Sequence, residues 1–177
     1  NWSRFLLVDP LDGTKEFVKR NGEFTVSIGL VENRRPVFGV LYVPVRDLLY
    51  AGGPGLGSVK VQGGEKSPVQ VAAPGQDGRV VAVGSRSHPD PRLEEYLGRY
   101  PGHELVAAGS ALKFGLVAEG TAHVYPRFNP TWEWDTAAGH AVVLGAGGNF
   151  TDLDGGEFLY NKESLKNGGF IARGLLA

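Results

Sequence analysis

An apolar run of strand length that ends abruptly in acids constrains the fold of this chain more than any other feature. The run Phe-Leu-Leu-Val at residues 5–8 is followed by Asp9-Pro-Leu-Asp-Gly-Thr. A buried strand therefore ends where Asp9 and Asp12 stand, and Leu11 between them can offer only its carbonyl oxygen. Mg²⁺ and similar hard cations prefer carboxylate and carbonyl oxygens, so this pattern predicts a metal site. The alternative is an ordinary turn, which Asp-Pro and Asp-Gly pairs also form.

The two residues after the acids, Gly13 and Thr14, point to an anion beside the cations. Glycine permits a close approach of the backbone to a ligand. The stretch from Thr14 to Val18 predicts a short helix, whose free N–H groups and positive dipole end attract a phosphate.

A third aspartate, Asp135, stands in the motif Trp-Asp-Thr-Ala-Ala-Gly at residues 134–139. It heads a small and apolar segment, 137–148, which predicts a helix closed by a Gly-Gly pair. As a simple N-cap, the acid would contribute about 1 kcal/mol to the stability of that helix. Tryptophans and apolar residues surround it in the sequence, however, and a carboxylate among them is costly unless it is paired or binds a metal. We therefore expect Asp135 to join Asp9 and Asp12 at one site.

The composition fits a globular domain and argues against several functional classes. Hydrophobic residues make up 42% of the chain and the net charge is −1, so we expect no nucleic-acid polymer as a partner. The absence of cysteine excludes disulfides, thiol catalysis and thiolate metal sites. No apolar run approaches the roughly 20 residues of a membrane helix, and the start of the chain has no signal-peptide core. We expect a cytoplasmic location without an obligatory membrane partner, with peripheral attachment to the inner membrane as the alternative.

Hydrophobic patterns divide the chain into an N-terminal part, residues 1–78, and a C-terminal part, residues 79–177. In the first part, apolar residues alternate with Thr25, Ser27 and Gly29, which predicts a strand that buries its apolar side within an antiparallel meander. The second part alternates strands and helices, including a helix from Asp90 as N-cap and another from Ser110 to Glu119. The sequence therefore predicts an α/β (α+β) fold in two subdomains.

Taken together, the motifs resemble the inositol monophosphatase superfamily of metal-dependent phosphatases. They are most similar to its bacterial CysQ branch, the 3′(2′),5′-bisphosphate nucleotidases. The resemblance implies a layered α/β sandwich of two sheets and helices, with the active site between the sheets. The matching segments, in chain order, are Asp9–Phe17, Arg20–Thr25, Ser85–His88, Leu112–Phe114 and Trp134–His140.

The same resemblance implies two or three Mg²⁺ ions held by Asp9, the Leu11 carbonyl, Asp12 and Asp135. Asp12 and Thr14 would be catalytic, with Thr14 orienting the attacking water. The segment from Leu11 to Thr14, together with Asp135, would also contact the phosphate that is cleaved.

The remaining polar residues concern the substrate. Ser110 and Lys113 are one helical turn apart in the predicted helix, so both can face one anion, and Arg127 could join them. The resemblance implies that these three residues and His88 line the nucleotide side of the cleft. This favours a doubly phosphorylated small molecule, 3′-phosphoadenosine 5′-phosphate, which would yield AMP and phosphate in sulfur assimilation.

Three alternatives to this function stay open at the level of the sequence. An inositol-phosphate or sugar-bisphosphate phosphatase of the same superfamily would keep the metal site and change the pocket. A nucleotide-binding chain without turnover would keep the pocket alone. A purely structural or interaction domain would use neither, and acids clustered at the ends of elements argue against it.

Members of the superfamily carry two long helices and a Glu-Glu motif ahead of the first aspartate strand. This chain begins eight residues before Asp9 and contains no methionine. We therefore expect an N-terminally truncated sandwich that lacks its N-terminal helical layer. With that layer would go a metal-ligating glutamate and an acid that helps to orient the water, so we expect lower activity from this chain alone.

Overall fold

Two large β-sheets with two helices packed between them form the framework of the computed structural model, which describes residues 2–87 and 90–176. The strands are β1 (Arg4–Asp12), β2 (Thr25–Glu32), β3 (Arg35–Val43), β4 (Leu48–Gly53), β5 (Gly57–Gln62), β6 (Glu65–Val69), β7 (Val81–Ser85), β8 (Glu104–Ala108), β9 (Val124–Arg127), β10 (Thr131–Trp132), β11 (Asn149–Asp152), β12 (Lys166–Asn167) and β13 (Phe170–Arg173). The helices are α1 (Thr14–Lys19), α2 (Pro91–Leu97), α3 (Leu112–Ala118) and α4 (Glu133–Gly145), with a 3₁₀ turn at Pro44–Arg46.

The first sheet is an antiparallel meander of β1 to β6 in chain order, and the second has the order β11-β13-β9-β7-β8. α3 and α4 contact strands of both sheets. Between α3 and the second sheet, the rings of Phe114, Tyr125, Phe150 and Phe170 pack with centroids 4.8 to 5.9 Å apart. The predicted layered α/β sandwich is confirmed, whereas the division into subdomains at residues 78 and 79 stays a prediction.

Small residues on α4 and glycines on the sheet allow the helix to lie very close to β2 and β3. A Cβ atom on Gly29 would lie 2.6 Å from Cβ of Ala137, and one on Gly39 would lie 2.1 Å from the carbonyl oxygen of Ala138. Both distances are far inside van der Waals contact, so this approach requires glycine at the two strand positions. This close packing against the sheet also fixes the position of the first turn of α4.

The predicted alternation in β2 has the correct period, but its two faces are opposite to those expected. Thr25 and Ser27 are fully buried, whereas Ile28 is 38% exposed. The reason is steric, because α4 lies so near the inner face that only small side chains fit there. The small polar residues of β2 therefore lie on the inner face, where Thr25 is across from Asp12 and Ser27 across from Asp9 of β1.

The α4 helix begins earlier than its hydrophobic pattern indicates. It starts at Glu133, so Asp135 is the third helical residue and not the N-cap. Asp90 does cap α2 as predicted, since its side chain accepts a hydrogen bond from the N–H group of Arg92 at 3.0 Å. No helix in the described part of the chain is long and apolar enough to cross a membrane.

The α3 helix, in contrast, begins later than predicted, at Leu112. Ser110 precedes it in a left-handed conformation with φ of 54°. The expected relation between Ser110 and Lys113, one turn apart on one helix, is therefore wrong. Both residues still reach the same pocket, by a route described below.

The side of the first sheet that faces away from α3 and α4 is apolar across five strands, and we call it the outer face. Among its members Leu6 is 61%, Val8 47% and Phe38 38% exposed. Monomeric proteins seldom keep contiguous apolar patches larger than a few hundred Å² in contact with water. The outer face consists of Leu6, Val8, Val26, Ile28, Leu30, Phe38, Val40, Tyr42, Leu49, Ala51, Val59 and Val61.

The 177-residue chain alone is expected to self-associate through the outer face. Val8 and Ile28 are cross-strand partners within it, so the double variant Val8→Lys/Ile28→Glu places an ion pair there and should yield monomers. Light scattering at several protein concentrations measures the difference. Val45→Lys changes an exposed valine in the 3₁₀ turn, outside the outer face, and should leave the association intact. A wild-type chain that stays monomeric at high concentration would contradict this expectation.

Candidate active site

A bulge at the end of β1 turns two aspartates towards the same side of the sheet. In a regular strand, residues three positions apart point to opposite faces. Here Asp9 pairs with Ser27 and Asp12 with Thr25, so β1 uses one residue more than β2 over this stretch. The extra residue restores the facing of Asp12, as bulges beside functional sites do. Both acids therefore face α4, as does the inner side of β2.

The first turn of α4 brings the third acid to the other two. Asp9, Asp12 and Asp135 each offer a carboxylate oxygen, and these oxygens lie within 4.8 Å of one another. We call these residues the carboxylate cluster. The N–H group of Trp132 donates to Oδ2 of Asp135 at 2.7 Å, which ties this carboxylate to the backbone just before the helix. The predicted meeting of the three acids is thus present in the structure.

Asp12 is held by three donors that all reach its Oδ2 atom. The hydroxyl of Ser110 donates at 2.5 Å, the N–H group of Ala111 at 2.6 Å and the hydroxyl of Thr25 at 3.1 Å. Three bonds to one oxygen fix the plane of the carboxylate without help from a ligand. Ser110 therefore positions a member of the carboxylate cluster, in addition to lining the pocket.

Burial and mutual repulsion disfavour the charged forms of two of these acids. Burial is the main cause that raises the pKa of Asp135 to about 6, and the charges of Asp12 and Asp9 raise it further. The pKa of Asp9 is also raised, mainly by burial and then by the charge of Asp12, against the N–H group of Leu11 that stabilises its charge. A bound cation would reverse this situation, because it favours ionised carboxylates.

The donors at this site fit a hard divalent cation. The carboxylate cluster supplies oxygen ligands only, and all three acids are partly buried. Beside it, the buried hydroxyl of Ser27 has no hydrogen-bond partner among the described residues, although it lies across from Asp9 in the strand register. A buried polar group without a partner is uncommon and requires an explanation. A cation site with its bound water next to Asp9 would provide one.

A pocket of about 320 Å³ extends from the carboxylate cluster and gathers most of the residues singled out in the sequence. Phe114, Tyr125 and Phe170 form part of its apolar wall. Its volume suits a small phosphorylated molecule. The predicted site residues that line it are Asp12, Gly13, Thr14, Ser110, Lys113, Arg127 and Asp135.

The pocket wall also carries positive charge, at Lys113 and Arg127. Lys113 is only 3% exposed, and its Nζ atom donates to the carbonyl oxygen of Ser110 at 2.5 Å and lies 5.2 Å from the ring centroid of Tyr125. Burial lowers the pKa of Lys113 to about 8, the charge of Asp12 opposes this shift and that of Arg127 adds to it. Lys113 therefore lies within electrostatic reach of both the acids and Arg127.

Some predicted residues are not placed in the pocket. His88 lies outside the described residues. Asp9 belongs to the carboxylate cluster but not to the pocket wall, and the carbonyl of Leu11 as a ligand stays a prediction.

Sequence reasoning missed Thr25 and Ser27 as parts of the site. The available signal was that Thr25, Ser27 and Gly29 stand at alternate positions. Small residues at alternate positions mark a strand face that lies under a close helix. Glu16, Thr131 and Thr136 also line the pocket without having been predicted there.

Comparison with known proteins places this geometry in a family. The profile described as the inositol monophosphatase family matches residues 1–174. The chain belongs to this family. Among curated relatives, the protein named 3′(2′),5′-bisphosphate nucleotidase CysQ from Escherichia coli strain K12 is 49% identical over 96% of this chain and 68% of its own length. A protein of the same name from Buchnera aphidicola is 46% identical over 99% of this chain and 66% of its own length.

Solved structures agree with this family membership. The crystal structure of CysQ from Bacteroides thetaiotaomicron superimposes with a TM-score of 0.92 and 43% identity, covering all of this chain and 72% of its own. The inositol monophosphatase from Anabaena sp. PCC 7120 gives a TM-score of 0.78 with 28% identity, over 97% of this chain and 67% of its own. The higher values belong to the CysQ structure.

Asp135→Asn is expected to abolish divalent-cation binding and to stabilise the cation-free protein at neutral pH. The pKa of this acid rises from 3.8 to about 6, so between these values the folded chain binds more protons than the unfolded one. The free energy of unfolding of the wild type therefore falls as pH rises through this window, and the asparagine variant avoids that loss. Urea unfolding in EDTA across this pH range, together with Mn²⁺ titration, measures both effects.

Asp154→Asn is the control for this experiment, because it neutralises an exposed acid outside the pocket. It should change neither the pH profile of unfolding nor Mn²⁺ binding. Wild-type Mn²⁺ affinity in Asp135→Asn would exclude Asp135 as a metal ligand.

Proposed function

We propose that this chain carries the active site of a Mg²⁺-dependent 3′(2′),5′-bisphosphate nucleotidase. Its substrate would be 3′-phosphoadenosine 5′-phosphate, cleaved to AMP and phosphate during nucleotide recycling in sulfur assimilation. The observation that carries the proposal is that one pocket is lined both by acids of the carboxylate cluster and by the cations Lys113 and Arg127. A substrate with two phosphates, one for bound metal ions and one for the two cations, matches that lining. The names of the CysQ relatives support the same choice.

Asp9, Asp12 and Asp135 would hold two or three Mg²⁺ ions, with the Leu11 carbonyl as a further ligand. When bound, the ions would neutralise the phosphoryl oxygens, lower the pKa of a coordinated water and stabilise the leaving oxygen. The protein's part is to keep its ligands in place before the substrate arrives. The three hydrogen bonds to Asp12 serve that purpose.

Gly13 and Thr14 would place the cleaved phosphate and the attacking water. Gly13 adopts φ of 86°, and a Cβ atom there would lie 2.9 Å from Cβ of Ser110, so a larger residue would crowd the pocket wall. Thr14 starts α1 in the pocket wall, where its hydroxyl can accept a hydrogen bond from a water and so orient it. No covalent intermediate with the protein is required.

Lys113 and Arg127 would bind the 5′-phosphate, with Ser110 and His88 beside the nucleotide. Lys113 is buried and already bonded to the carbonyl of Ser110, so its ammonium group is held in position for an anion. An ammonium group has three donors, and the bonds to the carbonyl oxygens of Ser110 and, at 3.4 Å, of Ala108 use two of them. Because Lys113 and Arg127 are not members of the carboxylate cluster, their binding energy would position the substrate and not act on the breaking bond.

A panel of phosphate-release assays tests the function in the full-length protein with Mg²⁺. The expected result is a higher kcat/KM for 3′-phosphoadenosine 5′-phosphate than for 3′-AMP, an inositol monophosphate or a sugar bisphosphate. A preference for inositol phosphate or the sugar would assign the site to another phosphatase of the family. Tight binding of the bisphosphate nucleotide without phosphate release would indicate a binding function instead.

Lys113→Met is expected to lower kcat/KM for the bisphosphate nucleotide far more than for 3′-AMP. Methionine keeps most of the buried length of lysine and removes the charge. Loss of one charge-assisted contact costs about 1.5–3 kcal/mol, or about ten- to a hundredfold in efficiency. Equal losses on both substrates would show that the lysine acts only in the structure.

The alkaline pH profile adds a second test of Lys113. Its pKa is lowered to about 8, so the ammonium loses its proton as pH rises through that value. The ratio of kcat/KM for the bisphosphate nucleotide to that for 3′-AMP should therefore fall above about pH 8 in the wild type. In Lys113→Met this fall should disappear. Lys60→Met, which breaks an ion pair with Glu119 outside the pocket, is the matched control and should keep the wild-type profile.

A further inference from the structure

Glu133 is a buried acid at the start of α4 for which the proposed reaction has no use. It is fully buried and lies two residues before Asp135. Its carboxylate accepts hydrogen bonds from the N–H groups of Asn161 at 2.9 Å and Lys162 at 3.1 Å. The Nζ atom of Lys162 lies 2.5 Å from its Oε1 atom and forms an ion pair with it.

Lys162 uses its ammonium group to join three separate acceptors. Besides Glu133, Nζ donates to the carbonyl oxygen of Leu159 at 3.0 Å and to Oδ1 of Asn167 at 2.9 Å. An ammonium group has three donors, so these three bonds satisfy it. The side chain is therefore held in one position by the segment that surrounds it.

Asn167 extends this network to both sides of Asp135. It is 3% exposed, and its amide nitrogen donates to the carbonyl oxygen of Trp132 at 2.8 Å and to the hydroxyl of Thr136 at 3.0 Å. Trp132 is the residue whose N–H group binds Oδ2 of Asp135. Trp132 before Asp135 and Thr136 after it are thus bonded to the same amide.

Stability alone is a weak reason for such an arrangement. The free energy that a buried ion pair gains from its attraction seldom exceeds the cost of removing both charges from water. Apolar residues of similar volume often stabilise a fold as well or better. A network of this kind does fix geometry, because each member has one satisfied arrangement. Residues that orient a metal ligand from behind typically have such fixed geometry.

We propose that Glu133, Lys162 and Asn167 are positioning residues that hold Asp135 in the orientation required for cation binding. The network joins the segment from Leu159 to Asn167 to the first turn of α4, and it acts on the cation only through Asp135. This inference rests on the proposed metal site. It adds Glu133, Lys162 and Asn167 to the residues that determine metal affinity, although none of the three is itself a proposed ligand.

Mn²⁺ binding, followed by the electron paramagnetic resonance signal of the free ion, tests this proposal in the full-length protein without any assay of activity. Glu133→Gln and Lys162→Met are each expected to weaken Mn²⁺ binding about ten- to a hundredfold, as loss of residues that support a ligand does. Glu157→Gln is the matched control, since it breaks an exposed ion pair with Arg35 in the same part of the chain. It should leave the affinity unchanged.

The double variant Glu133→Gln/Lys162→Met separates positioning from stability. It leaves no unpaired buried charge, so its melting temperature in EDTA should recover towards the wild-type value while its Mn²⁺ affinity stays low. Wild-type affinity in the double variant, or in Glu133→Gln if Lys162→Met fails to fold, would overturn the proposal and leave the pair a purely structural role. Failure of the wild type itself to bind Mn²⁺ would overturn the metal site, and this inference with it.

Discussion

The close packing of α4 against β2 and β3 is the contact on which the rest of the site depends. Gly29 and Gly39 leave room for the backbone of Ala138 and the side chain of Ala137, at distances that a single added methyl group would make impossible. Because the helix approaches so closely, its first turn reaches the end of β1. The three acids come from segments more than a hundred residues apart in sequence, and this contact is what places their oxygens within 4.8 Å.

Because that contact buries acids beside one another, it also lowers the stability of the cation-free fold. Burial and neighbouring acids raise the pKa of both Asp9 and Asp135, so their ionised forms are held in place against repulsion. Backbone N–H groups partly offset this repulsion, because that of Leu11 donates to Asp9 and that of Trp132 donates to Asp135. Carboxylates that are already held in place would need less reorganisation when a cation binds. The fold is less stable for it when no cation is bound.

Sequence patterns revealed the acids because each one stands where a hydrophobic pattern breaks. Asp9 and Asp12 follow a buried strand and Asp135 precedes an apolar helix, so the class of fold and the meeting of the three acids could be predicted. The facing of β2 could not, because the rule that apolar residues turn inward fails where the first sheet is apolar on its outer face as well. Glu133 and Lys162 lie 29 residues apart, and no periodicity relates them.

Asp12 and Lys113 are joined through the loop before α3, which could not be foreseen from a helical spacing. Ser110 donates from its hydroxyl to Asp12 and accepts at its carbonyl from Lys113, so one residue contacts both an acid of the carboxylate cluster and a cation of the pocket wall. Its left-handed backbone, with φ of 54°, is what turns the two groups in different directions. In the proposed function, selection for the second phosphate and support of the cation site would therefore share a single strained residue. A change at Ser110 would act on both Asp12 and Lys113, whereas a change at Lys113 would leave the hydrogen bonds of Asp12 in place.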